Sequence, residues 1–441
     1  MDIKKVKRYS LIEVALLAVF MVGLLIAHLI VKHRATVVLS DLISLPGSGL
    51  SVSVPAGPGW ERTATWQYEE SESSMTLLGQ FRPSNRGTMG VRWRYVFSTP
   101  DGSEQELLEQ RAQKINAVIQ SFYRVGQEYP VVYARMLLPS SPHEEIYMGI
   151  MRTSSNRSIE LLVRSYGIGG FHGENVFRSV AGSIQYRPGQ EVAEGHVLTD
   201  EFLRTQGHRL SRRSRSDEAF LIKDAAGKNQ GYYYARHSVS NKPQQALRTQ
   251  IRQFEYNVME LKSELWFDPL EKDYRWKTDL SNPRAEGALV YEIAPGQSQS
   301  LLVTRNAKEV KTFPAGQFFL PQPLLIELAQ VFLESDWDGI IVDVLTAKGH
   351  LVPVRLTKVP PAEANAKSEA VESVVRMDFI YLPDSYEELL FDRSQNLLGK
   401  FKQQPGRRGR IWEAVSPEAL QQIFQEDFQA SDGIGTTNEH Q

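Results

Sequence analysis

Cysteine is absent from all 441 residues. That excludes disulfides, thiolate metal sites, iron–sulfur clusters and cysteine nucleophiles. A secreted eukaryotic protein of this size would normally carry cystines, so the absence fits a bacterial cell-envelope protein better. An excess of one charge is missing too. The 50 Lys and Arg oppose 52 Asp and Glu for a formal net charge of -2, so no global basic field draws in nucleic acid. No repeat with a period of about 20–50 residues appears, which argues against a solenoid or propeller. Catalytic signatures are missing as well. The nine histidines never adopt the His-Glu-x-x-His spacing of a zinc protease, and no Gly-x-Ser-x-Gly elbow occurs. His143-Glu144-Glu145 offers only adjacent ligands, which point apart on an extended chain. His172 and Glu174 precede a helix start, where capping is the usual role of the acid. The glycine-rich stretch 167–173 lacks the Gly-Lys-Ser/Thr ending of a phosphate loop. Glu387-Glu388 and Glu426-Asp427 read as solvated acids rather than a facing glycosidase pair. The resulting expectation is a protein without catalysis, metal or cofactor.

What is present begins with residues 14–31, a run without a charged side chain. At about 1.5 Å per residue it extends about 27 Å, close to the hydrocarbon thickness of a bilayer. Lys4, Lys5, Lys7 and Arg8 precede it, and Lys32 and Arg34 follow. That bias places the N-terminus in the cytoplasm. Ala27-His28-Leu29 and Arg34-Ala35-Thr36 are poor cleavage sites, so the expectation is an uncleaved signal anchor. The chain is then a single-pass type II membrane protein. Residues 1–10 are cytoplasmic, 11–32 contact the lipid bilayer, 33–50 connect, and the bulk is extracytoplasmic in a bacterial periplasm. Tyr9-Ser10-Leu11-Ile12-Glu13-Val14 resembles the start of a type IV pilin or pseudopilin. The resemblance implies that Glu13 is an assembly residue. Arg8 departs from it, because the family carries a small residue there for processing.

Composition is 41% hydrophobic and 23% charged, as in folded globular proteins. At roughly 100–200 residues per domain the length suggests two or three domains. The fold class expected is α+β: one N-terminal transmembrane helix, then two mainly antiparallel-sheet domains with a few packed helices. The first, residues 51–188, alternates apolar and polar residues through several short stretches. In 91–97, Val91, Trp93, Tyr95 and Phe97 share one face and Arg92 and Arg94 the other, the pattern of a half-buried strand. Residues 103–122 change to a helical period, with Ser103 and Glu106 as a capping box. A second helix is expected over 174–184, with Val176, Phe177, Val180 and Ile184 as its stripe. This order, with Val52-Ser53-Val54-Pro55 and Gly59-Trp60 at the start and Ser183-Ile184-Gln185-Tyr186 at the end, resembles the PsbP-like α/β sandwich. The resemblance implies a small extracytoplasmic assembly or binding module rather than an enzyme.

Residues 189–207 read as a linker and 208–430 as a large antiparallel domain. Its long strands include one expected over 250–267. A helix follows Pro321 and Pro323, with Leu324, Leu325, Leu328, Val331 and Phe332 apolar. A last helix starts at Ser416-Pro417-Glu418. Residues 431–441 are a polar tail, expected to be disordered, and Arg212-Arg213-Ser214-Arg215 is a basic run in a solvated loop. The order of elements resembles the lipoprotein-carrier class, in which a curved sheet wraps an apolar cavity. Tyr232, Tyr233 and Tyr234, with Trp266 and Trp276, are the candidate ligand or partner surface. The functional expectation is a binding or scaffold protein of an envelope assembly with a protein partner. The alternatives are a carrier or sensor of a hydrophobic ligand, a hydrolase with a site not visible in sequence, and a pseudopilin-like subunit.

Overall fold

The computed structural model describes residues 16–24, 37–63, 65–69, 74–81, 88–97, 99, 102–154, 157–166, 173–187, 189–205, 217–240, 245–254, 258–268, 273–281, 288–295, 300–314, 320–346, 350–365, 369–382 and 384–425. Glu13, the basic run and the polar tail lie outside them. The described chain is mostly antiparallel sheet. It has three sheets and six α-helices: α1 (16–24), α2 (Glu104–Lys114), α3 (Gly173–Ala181), α4 (Gln190–Thr205), α5 (Leu325–Glu334) and α6 (Pro417–Ile423). Among the described residues no helix is long and apolar enough to cross a membrane. The described part of the expected span is α1, whose Leu16, Leu17, Val19, Phe20, Met21, Val22 and Leu24 are all exposed.

The first large sheet has eight strands. Its path runs Trp60–Arg62, Ser74–Phe81, Thr88–Val96, Arg157–Tyr166, Ser141–Ser154, Val131–Leu138 and Val118–Val125, with Gln67–Glu69 also paired to Ser74–Phe81. Helices cover both faces. Val176, Phe177 and Val180 of α3 join Trp93, Tyr133 and Leu161 on one side, while Leu107, Leu108 and Ala112 of α2 join Ala134, Met148 and Ile150 on the other. Arg94 is therefore buried rather than solvated. With Arg111 of α2 it converges on the buried Glu160, at 3.4 and 2.8 Å.

The capping box forms, Ser103 Oγ accepting from the Glu106 amide and Glu106 Oε2 from the Ser103 amide. The helix it opens stops at Lys114, not at residue 122. Asn116 takes a left-handed φ of 54°, and Val118–Val125 is the last strand of the sheet's path. The β-branched and aromatic residues Val118, Ile119, Phe122 and Tyr123 favour the pleated surface over another helical turn. A small sheet of Ile43–Leu45, Leu50–Val52 and Gln185–Tyr186 lies beside this body.

The largest sheet has fifteen strands. From Glu218–Lys223 it runs outward as consecutive hairpins to Lys308–Pro314, and from Arg410–Ala414 it runs backward in sequence to Gly339–Leu345. Pairing of Glu218–Lys223 with Arg410–Ala414 joins the two meanders, and Leu320–Pro321 pairs in parallel at the far edge. The span expected as one strand over 250–267 is two paired strands, Gln245–Phe254 and Val258–Asp268.

Residues 189–207 hold a sixteen-residue helix, α4. Its Gly195, Leu198, Thr199, Phe202 and Leu203 recur at the helical period and are buried. It lies so close to the strand Gly339–Leu345 that a Cβ on Gly195 would sit 1.9 Å from the Ile341 carbonyl oxygen. The bodies on either side of α4 share one apolar core, which runs from Trp93 and Phe177 through Phe202 to Phe332 and Leu389.

Candidate functional site

Trp276 and Ile251 line the same cavity as Val344 and Val352. The strands of Trp276 and Val352 are nine positions apart in the sheet, which at about 4.8 Å per strand would separate them by about 43 Å if it were flat. The sheet therefore curls, and α5 lies inside the curl. Leu325, Leu328, Ala329 and Phe332 of α5 share the core with Leu265, Trp276, Val303, Val354 and Leu389. The helix fills part of the interior and leaves a cavity of about 320 Å³, within the size range of small-molecule sites.

Most of the cavity wall is apolar, formed by residues such as Trp276, Ile326, Val354, Met377 and Phe379. A few polar groups converge on it. His237 is buried and shares a hydrogen bond between Nδ1 and Thr249 Oγ1 at 3.1 Å. Its Nε2 lies 3.5 Å from Glu218 Oε2. Lys400 also faces inward. Its ammonium sits 5.4, 5.6 and 5.7 Å from the ring centres of Phe220, Tyr233 and Trp412, within cation–π range. Glu387 on the neighbouring strand pairs with Lys402 at 3.0 Å. Burial pushes the Glu387 carboxyl up, but Lys402 and Lys400 outweigh it and hold the group below the usual carboxylate range. Glu387 in turn raises the Lys402 ammonium above its ordinary value. A second recess of about 280 Å³, lined by Asp217, Glu218, Glu327 and Gln330, adjoins the first at Ile326.

Of the aromatic candidates, two line this cavity: Tyr233 and the buried Trp276. Tyr232 and Tyr234 alternate to the outer face. There Tyr232 is fully buried against Phe254 and Phe424, with ring centres 6.0 and 4.8 Å away, beneath Leu420 of α6. Tyr234 donates to Asp217 and accepts from Arg236 at 3.0 Å. The Trp266 side chain lies outside the described residues; its backbone pairs with Ala246 and Arg275. Lys400, His237 and the strand Arg410–Ala414 are not among the features expected from the sequence. Lys400-Phe401-Lys402 alternates, which suggests lysines outward and Phe401 inward. Instead Phe401 packs on the outer face with Ala364, Val374 and Leu390. Because both faces are covered here, alternation alone does not say which is inner.

His143 is exposed, and its acidic neighbours are engaged in ion pairs: Glu144 with Arg164 and Glu145 with Arg135, both at 2.7 Å. Glu174 accepts from Tyr133 Oη at 3.0 Å within the first turn of α3. Residues 167–172 lie outside the described residues.

No family model and no curated protein matches this chain. Among solved structures it is similar to a beta-barrel-like protein of the domain of unknown function DUF1849 from Brucella abortus. The match has 10% identity and a TM-score of 0.34, over 45% of this chain and 95% of that one.

Proposed function

We propose that this chain is a membrane-tethered, extracytoplasmic binding protein that holds a hydrophobic ligand inside its curled second sheet. The observation that carries the reading is the cavity beside α5, apolar over most of its wall with a few polar groups set into it. Ligand sites have this composition: apolar surface supplies affinity and a few fixed polar groups set orientation. The resemblance to the lipoprotein-carrier class points the same way. The tether is residues 11–32, whose apolar side chains in α1 find no burial within the described chain. It holds the site at the membrane surface, where hydrophobic ligands concentrate.

Scaffolding is the second reading. The strand Val118–Val125 closes the path of the first sheet, with Val118 58% and Tyr123 41% exposed. An exposed strand edge accepts a further strand from a partner. Native mass spectrometry of the full chain, released from detergent micelles, separates the two. A stoichiometric extra mass of lipid size supports the carrier reading. A ligand-free mass in a dimer or larger species contradicts it and favours assembly.

A further inference from the structure

Between the proposed tether and the body the chain is short. From Lys32 to Leu39, which bridges to Pro55, is a step of seven residues. Fully extended, that step reaches at most about 25 Å. With residues 11–32 in a bilayer, the corner where the chain enters the body stays close to the lipid. That corner carries exposed apolar side chains. Val38 is 61% and Leu42 43% exposed, and their even spacing in extended chain puts both on one face. Next along the chain, the Ile43 carbonyl oxygen accepts from Trp66 Nε1 at 3.4 Å. Two residues beyond Trp66, the Tyr68 ring meets that of Tyr381, with centres 4.7 Å apart. Tyr381 lies in the turn between the strands Ser373–Phe379 and Tyr386–Phe391 and lines the cavity beside α5. Leu382, the next residue of that turn, is 42% exposed. The cavity reaches the surface at the same end of the sheet. There its lining residues include the exposed Gln322 and the half-buried Thr346 and Tyr381. The adjoining turn, after Leu397–Gln403, exposes Arg407 and Arg408. Asp384 is the one acid in these two turns.

We propose that the turn at Tyr381–Leu382 docks on the bilayer, with Val38 and Leu42 beside it, so that the cavity opens onto the membrane and its ligand enters from the lipid side. The inference rests on the tether and cavity reading above and adds the surface that meets the membrane and the direction of entry. Three apolar side chains that face water on a free body are covered when they enter the boundary between head groups and acyl chains. Arg407 and Arg408 then lie at the level of anionic head groups, which attract basic side chains near the surface. An apolar ligand that passes from the bilayer to the cavity past Tyr381 never exposes its chain to water, which removes the largest cost of leaving the membrane.

The absence of cysteine allows single labels to test this on the full chain, reconstituted in vesicles of phosphatidylcholine and phosphatidylglycerol. An NBD fluorophore is placed at Leu42→Cys, at Leu382→Cys and, as a control, at Val118→Cys. Val118 is exposed too, but lies at the opposite edge of the first sheet from the strand of Tyr68. A nitroxide-labelled phospholipid is expected to quench the labels at Leu42 and Leu382 at least about twofold more than the label at Val118. Leu382→Glu is expected to slow transfer of a brominated fatty acid from vesicles into the cavity, read as the rate of Trp276 quenching, while leaving the final extent unchanged. Equal quenching at all three positions, on a chain that floats with the vesicles, overturns the docked turn and leaves tether and cavity standing. An unchanged transfer rate in Leu382→Glu overturns entry at this turn. A chain that does not float with the vesicles overturns the tether, and the docking with it. The label comparison uses only exposed positions and stands even if Leu382→Glu fails to fold.

Discussion

Arg157 leaves the first large sheet and ends on Asp343 of the fifteen-strand sheet, with both side chains almost wholly buried. His196 of α4 approaches the other carboxylate oxygen at 3.5 Å, so three elements meet at one carboxylate. Removing one member of a buried ion pair strands the other charge in the interior, at a cost of about 3–5 kcal/mol. Asp343→Asn and Arg157→Met should each destabilise the protein by about that much in urea unfolding, and the double variant Arg157→Met/Asp343→Leu by less than the sum. Equal and additive losses would show that the pair is not coupled. The pH dependence has a definite sign. Burial raises the Asp343 carboxyl, but Arg157 and His196 more than offset this and keep it below the ordinary value. Its contribution is complete above the unfolded carboxyl value of about 3.9 and is lost as pH falls through the lower folded value. The difference in stability between the native chain and Asp343→Asn should therefore shrink as the pH falls through the carboxyl range, below about pH 4.

Among the elements, α4 shows how a helix is set by contact rather than by propensity. Gly195 costs the helix about 1 kcal/mol against alanine, yet no Cβ fits there, because the Ile341 carbonyl oxygen lies 1.9 Å from where it would stand. Gly195→Ala should lower stability by about 1–3 kcal/mol, the usual range for overpacking, and expose α4 to protease; an unchanged melting temperature would contradict the close packing. Elements whose local signals agree were legible in the sequence. The cap at Ser103 formed, and Ser416 caps α6 by accepting from Ala419 N at 3.1 Å. The proline-led helix at Leu325 packs through the apolar residues it was expected to use. Elsewhere a local pattern misled. Pro188 and the polar residues of 189–207 suggested a connector, although Leu198, Phe202 and Leu203 carried a helical stripe. Of the helically spaced Ile115, Ile119 and Phe122, the first caps α2 and the other two lie in the strand Val118–Val125. Of the candidate site, Tyr233 and Trp276 were legible as aromatics. Lys400 and His237 were not, because their meaning depends on which strands meet across the curl, a non-local fact that one strand's period does not contain.

At the scale of the whole molecule, the proposed tether and cavity define one account: a soluble body held at a membrane and built to take something apolar from it. The tether predicts that the full chain stays in the membrane pellet through alkaline carbonate extraction. It also predicts that Leu17→Arg/Phe20→Arg releases the chain, since each arginine at a span's centre costs about 2.5–3.5 kcal/mol to insert. A native chain found in the soluble fraction would remove the anchor from the account. Trp276 lines the cavity and so reports on whatever enters it. Bromine on an alkyl chain quenches only indoles it touches, so a brominated fatty acid titrated into the full chain in peptidiscs should dim the tryptophan emission in a saturable way. Trp276→Phe should remove most of that saturable quenching. If Trp276→Phe and the native chain quench alike, the ligand does not enter the cavity beside α5 and the account fails.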